Sequence, residues 1–328
     1  MKNESIVDQY VVRAAQPADA PRMHGLLLAL AEAEGNVSTT TLQDVENLFK
    51  DAVIEPEVDS LLILNSQEEL LGAAWVVGNP HATTIMELWS NIHPRYRTQA
   101  QGGALSEWLL TWAEVRGAQR LAGAPISEEH PPILATICWD GQPIQQALLE
   151  EHDFVAVRYF KHMRCDLSQA VPESSLPAEL SVQTYSPDLD EALRMAYNEA
   201  FREDWNFRFM DEEAWKRQMT QRQDFDPSLS FIALCGSEIA GFSVNHVHST
   251  ATEREGYITQ IGTLPAWRRR GIASALLSAS LRAFQSAGLA TAALGVDADN
   301  PHKAFSLYER MGFKALQTLV QYVKYADR

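Results

Sequence analysis

The chain is short of cysteine, short of basic residues and free of long apolar runs, and each shortage excludes a class of protein. Only three cysteines occur in 328 residues, Cys138, Cys165 and Cys235, widely spaced and odd in number. With no C-x-x-C pair and no Cys/His cluster, neither a disulfide framework nor a structural zinc site is expected. The longest apolar stretch near the start, Leu26 to Ala31, is stopped by Glu32. It is far too short to cross a bilayer. The opening residues are polar, carrying Lys2, Glu4 and Asp8. They lack the apolar core of a secretory leader, so a reducing cytoplasm is the expected compartment. Lys and Arg number 27 against 43 Asp and Glu, a formal charge of −16. That balance argues against a nucleic-acid partner and against anionic membranes, both of which call for a basic face.

What is present is enough apolar material for real cores, 46% of the residues. The length fits two domains of ordinary size. One pattern is written twice. Tyr10–Arg13 and Leu180–Thr184 read as opening strands, each followed by an acidic helical segment with Pro17 or Pro187 at its start. Two hairpin patterns follow, Leu61–Leu64 with Leu71–Val76 and Phe231–Leu234 with Ala240–Val244. Gly72 and Gly241 stand 169 residues apart (241 − 72), Pro94 and Pro265 171 apart (265 − 94). Near-equal offsets point to a tandem duplication. The stretch 168–178 holds two prolines and three serines. It is the expected linker between an N-terminal domain at 1–167 and a C-terminal domain at 179–328.

After each proline comes a small-residue loop and an amphipathic helix. In the second half Ile272, Leu276, Leu277, Ser280, Leu281 and Phe284 recur at helical spacing up to Gly288. In the first, Leu105, Trp108, Leu109 and Trp112 do so, with an end expected near Gly117. A strand and a shorter helix then lead to Asp153-Phe154 or Gly312-Phe313 and a last strand. Both halves therefore read as α/β (α+β).

The chemistry lies in Thr263-Leu-Pro265-Ala-Trp-Arg268-Arg269-Arg270-Gly271-Ile272-Ala273. A strand ends, the chain turns, and small residues stand where a helix begins. The first amides of a helix lack partners and carry partial positive charge. Glycine and alanine there let a pyrophosphate approach the backbone.

This segment resembles the first motif of the GNAT superfamily of N-acetyltransferases, [Q/R]-x-x-G-x-[G/A], here Arg268-x-x-Gly271-x-Ala273. Asn300-Pro-His-Lys-Ala304-Phe-Ser-Leu307-Tyr308-Glu-Arg-Met-Gly312-Phe313 resembles the second, N-x-x-A-x-x-L-Y-x-x-x-G-F. The resemblance covers the second half well and the first in outline. It implies two tandem GNAT-like domains, each a mixed, mostly antiparallel sheet flanked by helices, with acetyl-CoA as co-substrate and no metal. The backbone of Ile261, Gly262 and Thr263 would line the pantetheine arm. Arg268, Arg269, Arg270, Gly271, Ile272 and Ala273 would wrap the pyrophosphate, and Asn300 would touch the cofactor. Tyr308 would protonate the leaving thiolate, a sensible match of reference pKa values near ~10 and ~8.5.

Glu255 is the expected general base, with His246, His248 and Asp297 as other candidates. The first half departs from the pattern. Leu149 stands in the place of Tyr308, Gly141 in that of Asn300, Asp153 in that of Gly312 and Ala100 in that of Gly271. Leucine donates no proton, so this half is expected to have lost catalysis. Ala200 to Trp215, rich in aromatic and acidic residues, is a candidate acceptor pocket for a cationic amine, or else core packing. The expected activity is acetyl transfer to a primary amine of a small molecule by a monomer or homodimer. The alternatives are a non-catalytic acyl-CoA sensor and a protein or peptide N-acetyltransferase.

Overall fold

The computed structural model describes residues 9–35, 40–50, 54–79, 82–97, 102–122, 131–204, 207, 209–249, 254–300 and 304–325. The chain forms two compact units, Met1–Arg158 with Leu319–Arg328, and Tyr159–Thr318.

In the first unit, strands β1 (Val11–Arg13), β2 (Ser60–Leu64), β3 (Leu70–Asn79) and β4 (Ala82–Ile92) run antiparallel in order. β4 then pairs in parallel with β5 (Ile133–Trp139). Residues Leu319 to Tyr325, the end of strand β12 (Lys314–Tyr325), close the sheet against β5. Alternation along the strands sends side chains to opposite faces. Leu62, Leu64, Ala73 and Trp75 pack with helices α1 (Ala20–Ala33) and α2 (Leu42–Leu48). Ile63, Ala74 and Val76 pack with α3 (Gly102–Leu121) and Leu149 of α4 (Pro143–Glu151).

The helix expected to end near Gly117 runs on to Leu121. Gly117 is a packing residue: a Cβ there would lie 2.6 Å from the Leu134 side chain, so its smallness lets α3 sit close on the sheet.

Asp19 ties the start of this unit together. Its carboxylate accepts from both Nη atoms of Arg13, at 2.6 and 2.8 Å, and from the Gln16 amide at 2.9 Å. The Arg13 bonds, against burial, hold this carboxyl down at about 2. A carboxyl depressed in the folded state stabilises above its unfolded value near ~3.9, and the effect is lost as pH falls toward the folded one. The gap in urea midpoint between the parent protein and Asp19→Asn is therefore expected to be full at pH 5 and to shrink steadily toward pH 2.

The second unit repeats the plan. Strands β7 (Ser181–Thr184), β8 (Phe231–Cys235), β9 (Glu238–Ser249) and β10 (Arg254–Thr263) are antiparallel neighbours. β10 pairs in parallel with β11 (Thr291–Asp297). Phe160 to Asp166 of strand β6 (Val155–Asp166) close the sheet against β11. Helix α5 (Asp190–Phe201) covers one face; α6 (Ile272–Ser286) and α7 (Ala304–Arg310) cover the other.

This pairing moves the boundary away from the expected linker. Residues 168–178 do not bridge two bodies: they run along α6. Gln285 donates to the Leu167 and Gln169 carbonyls at 2.7 and 2.9 Å, and Ser278 donates to the Pro172 carbonyl at 2.8 Å. The division falls instead at 158/159 and 318/319. The physical reason is strand pairing: β6 completes the second sheet, and the end of β12 completes the first.

The duplication shows in fine detail. Gly312 takes a left-handed φ of 93° before buried Phe313, and Asp153 takes a φ of 62° before buried Phe154. Among the described residues, no helix is long and apolar enough to cross a membrane.

Candidate active site

The second unit's sheet forks. β10 and β11 pair only from Glu255/Thr291 to Ile258/Leu294, and both strands then run on separately. A bulge at Thr259 accompanies the fork: β9 partners Ile258 with Asn245 and Gln260 with Val244. An extra residue shifts the alternation of the bulged strand. Ile261 packs with the α6 cluster, while Gly262 turns to the α5 face. A Cβ at Gly262 would lie 2.5 Å from the Phe242 ring, so glycine is required there. The first unit has no such bulge: β3 and β4 keep register from Gly72/Ile92 to Gly78/Met86.

His246 pins the bulge. Its Nε2 donates to the Met219 carbonyl at 3.0 Å, which leaves Nδ1 to accept from the Thr259 hydroxyl at 2.5 Å. This histidine serves structure, holding the strand open.

The loop after β10 turns sharply into α6. Pro265–Trp267 make one 3-10 turn, Arg269 takes φ 64°, and Gly271 at φ 81° caps α6. The first bond into the helix from this cap is the Ala275 amide to the Gly271 carbonyl at 3.0 Å, so the amides of Ile272, Ala273 and Ser274 have no partner within α6. A Cβ at Gly271 would meet only the Ser175 carbonyl oxygen, at 3.8 Å, so the approach is open. Free amides on a 15-residue helix, beside exposed Arg269, suit a phosphate. The side chain of Ile272 is buried in the core, leaving its amide as the available group.

Arg268 is placed differently from expectation. Its guanidinium donates to the Thr263 carbonyl at 3.3 Å, to Glu203 at 2.9 Å and to the Ala200 carbonyl at 2.9 Å. The first unit repeats this latch. Arg97 donates to the Ile92 carbonyl, five residues back, at 3.3 Å and reaches Glu34 just past α1 at 3.6 Å. In both units this arginine ties a strand end to the end of the first long helix. Arg270 stacks over Trp267 at 5.0 Å and faces Glu179 at 3.6 Å. Asn300 sits in a turn, its amide donating to the Asp297 carbonyl at 3.1 Å.

Tyr308, on α7, is buried in the cluster that also holds Ile258, Leu294, Val296 and Ile261, the residues flanking the fork. Burial raises its pKa well above the ordinary phenol value. It therefore stays protonated, a hydrogen-bond donor, throughout the neutral range.

Glu255 is not brought to the fork. It lies three residues back at the paired end, about 10 Å along the strand. Its buried carboxylate accepts from the Thr291 hydroxyl at 2.9 Å and pairs with Arg164 Nε at 2.6 Å. An acid so clamped is poorly placed to take a proton from an acceptor. His248 is nearly as buried, with Nε2 3.6 Å from Asp224 Oδ2. Burial alone would raise Asp224, but the paired bonds from Arg222, at 2.8 and 2.9 Å, and the neighbouring histidines bring it below the ordinary carboxylate value.

Of the aromatic segment, Trp215 is core: it is fully buried and donates to Asp190 at 2.8 Å. Phe209 is exposed, but the Arg194 guanidinium already lies 5.4 Å from its ring centre. Trp205 and Arg208 lie outside the described residues, as does Ala100 in the first unit.

Sequence reasoning missed Tyr257, His162 and the bulge. Tyr257 could have been found by alternation from Glu255. His162 could not, because only the pairing of β6 with β11 brings it across.

A mixed sheet that forks beside a left-handed turn and a helix N-terminus defines an acyltransferase of the GNAT class. The acetyltransferase (GNAT) family profile matches residues 191–313. The mycothiol acetyltransferase of Streptomyces coelicolor is 30% identical over 269 residues, covering 80% of this chain and 78% of that protein. That of Pseudarthrobacter chlorophenolicus is 27% identical, covering 90% of each. A GCN5-related N-acetyltransferase from Sphaerobacter thermophilus superposes with TM-score 0.73 at 25% identity, over 98% of this chain and 97% of that one. A tandem GNAT protein from the clavulanic acid biosynthesis pathway shares the fold, at TM-score 0.69 and 14% identity, over 97% of this chain and 99% of that one. The chain belongs to the GNAT acetyltransferase family and is an N-acetyltransferase, a family that uses acetyl-CoA.

Proposed function

We propose that the second unit transfers an acetyl group from acetyl-CoA to a primary amine of a small molecule, by direct attack in a ternary complex. The observation that carries this is the asymmetry between the units: the bulged fork stands beside Tyr308 in the second, while in the first β4 keeps register with β3 from Met86 to Ile92 and Leu149 is buried. The cradle from Arg269 to Ala273 is the natural seat for the pyrophosphate, through amides more than through side chains. The free backbone edge of Gln260 to Thr263 offers the pantetheine arm a strand to lie along, since β11 no longer covers it.

Acetyl-CoA supplies the activated thioester. Holding amine and thioester together at the fork supplies much of the acceleration, because the two no longer have to meet by diffusion. Attack by the neutral amine forms the N–C bond and breaks the C–S bond; the proton lost from nitrogen passes to solvent, and the departing sulfur takes one up to leave as the coenzyme A thiol. Tyr308 donates its phenolic hydrogen bond to the departing thiolate. Arg268 acts indirectly, latching the strand end that the cofactor follows.

The relatives support this choice of acceptor class. Since proteins 27–30% identical are mycothiol acetyltransferases, the deacetylated amine form of mycothiol is the first acceptor to try. Calorimetry with acetyl-CoA is expected to show binding at micromolar concentration. A thiol reagent is then expected to detect released coenzyme A with that amine, or with one member of a panel of small primary amines. No binding overturns the reading. Binding without thiol release across the panel turns it into an acyl-CoA sensor.

A further inference from the structure

The geometry points to Tyr257 as the residue that meets the acceptor amine, from the face of the sheet opposite Tyr308. The inference rests on the reading of the second unit as the catalytic one.

Strand alternation sets the face. A Cβ at Gly256 would lie 2.5 Å from the Phe284 ring of α6, so Gly256 faces α6. Its neighbour Tyr257 must face the other way. On β9, Asn245 donates to Ser280 of α6 at 2.9 Å, which puts His246 and His248 on the same side as Tyr257.

Position along the strand sets the reach. Tyr257 is one residue short of the last paired residue, Ile258. Its hydroxyl lies 3.5 Å from where a Cβ of Gly295 would be. Gly295 is exposed and is the first residue of β11 beyond the fork. The phenol thus leans across the mouth, over the one position of β11 that presents no side chain.

Support for the ring comes from both flanks. His248 lies 4.4 Å away, centre to centre, tilted by 30°. His162, the β6 partner of Gly295, lies stacked at 6.4 Å. Asp224, held by Arg222, backs His248. Burial, with Arg164 nearby, lowers His162 to about 4, so this ring is uncharged at neutral pH. Burial, with the Glu255 charge, pushes Tyr257 up to about 12. It is a neutral hydroxyl whose oxygen accepts a hydrogen bond from an amine N–H; it neither gives nor takes a proton in the transfer.

In acyl transfer the amine approaches one face of the planar thioester carbonyl while the sulfur lies in its plane, so the two groups are met from different directions. Tyr308 lies within the α6/α7 cluster and Tyr257, the neighbour of α6-facing Gly256, lies on the other face of the same fork.

The test compares the full-length protein with Tyr257→Phe and Gly295→Val, using deacetylated mycothiol or the best amine of the panel as acceptor. Tyr257→Phe keeps the stacked ring and removes one hydrogen bond; Gly295→Val fills the mouth. Both are expected to raise the acceptor KM about tenfold, the size of one lost hydrogen bond of about 1.4 kcal/mol. The calorimetric Kd for acetyl-CoA is expected to stay within about twofold. An active parent protein with an unchanged acceptor KM in both variants overturns the inference and leaves the function standing. Equal loss of acetyl-CoA affinity overturns it too, making the stack merely structural. A parent protein that releases no coenzyme A with any amine removes the functional reading, and this inference with it.

Discussion

Tyr308→Phe is expected to lower kcat about 100-fold, or about 2.7 kcal/mol of transition-state stabilisation, within the usual range for a positioned acid. The acetyl-CoA Kd should barely move. The tyrosine ring is only 6% exposed and packs edge-on against Phe313, with centres 6.1 Å apart. Phenylalanine retains that contact and all the apolar burial, so thermal stability should hold and the loss should fall on turnover. The hydroxyl matters because a thiolate leaving a buried site has little water to stabilise it, and a protonated phenol substitutes for that water. Single-turnover measurement of thiol release separates this step from product release. A variant with near-parental turnover would remove Tyr308 from the chemistry and leave it as a core residue.

Phe284→Ala is expected to cost about 3–5 kcal/mol of stability, the usual range for emptying a buried aromatic site. Phe284 is fully buried on α6, and its ring fills the space over Gly256, where a Cβ would meet three ring carbons at 2.5 to 2.7 Å. Alanine leaves a hole directly beneath the paired stretch of β10 that precedes the fork. The sheet cannot collapse into the hole, because Gly256 has no side chain to follow. A drop in the urea midpoint with an unchanged slope is the expected signature. A change under about 1 kcal/mol would mean that the site repacks and that the Phe284–Gly256 fit is not what seats α6 on β10.

Much of the frame was legible before any coordinates. Hairpin signals at 61–76 and 231–244 correspond to β2–β3 and β8–β9, because short-range alternation and turn residues act locally. Gly271 and Tyr308 stood out by motif; the fold puts the first at the left-handed cap of α6 and the second buried on α7. Arg268 and Glu255 show the limit of such reading. Their residue types fitted cofactor binding and base catalysis, but in the fold each is held by a neighbour distant in sequence: Glu203 and the Ala200 carbonyl for one, Arg164 for the other.

The residue order alone determined that one α/β pattern is written twice, that arginines and small residues follow the strand ending at Thr263, and that the second copy holds Tyr308 where the first holds Leu149. These depend on spacing within some 50 residues, where covalent connection and periodicity decide. Tertiary structure alone decided which strand closes each sheet, where the bulge opens β10, and which faces Glu255 and Tyr257 serve. Those depend on pairings across long stretches of chain, such as Gly295 with His162, whose stability comes from packing and hydrogen bonds that no local pattern specifies. The division at 158/159 and 318/319, rather than within 168–178, has the same cause.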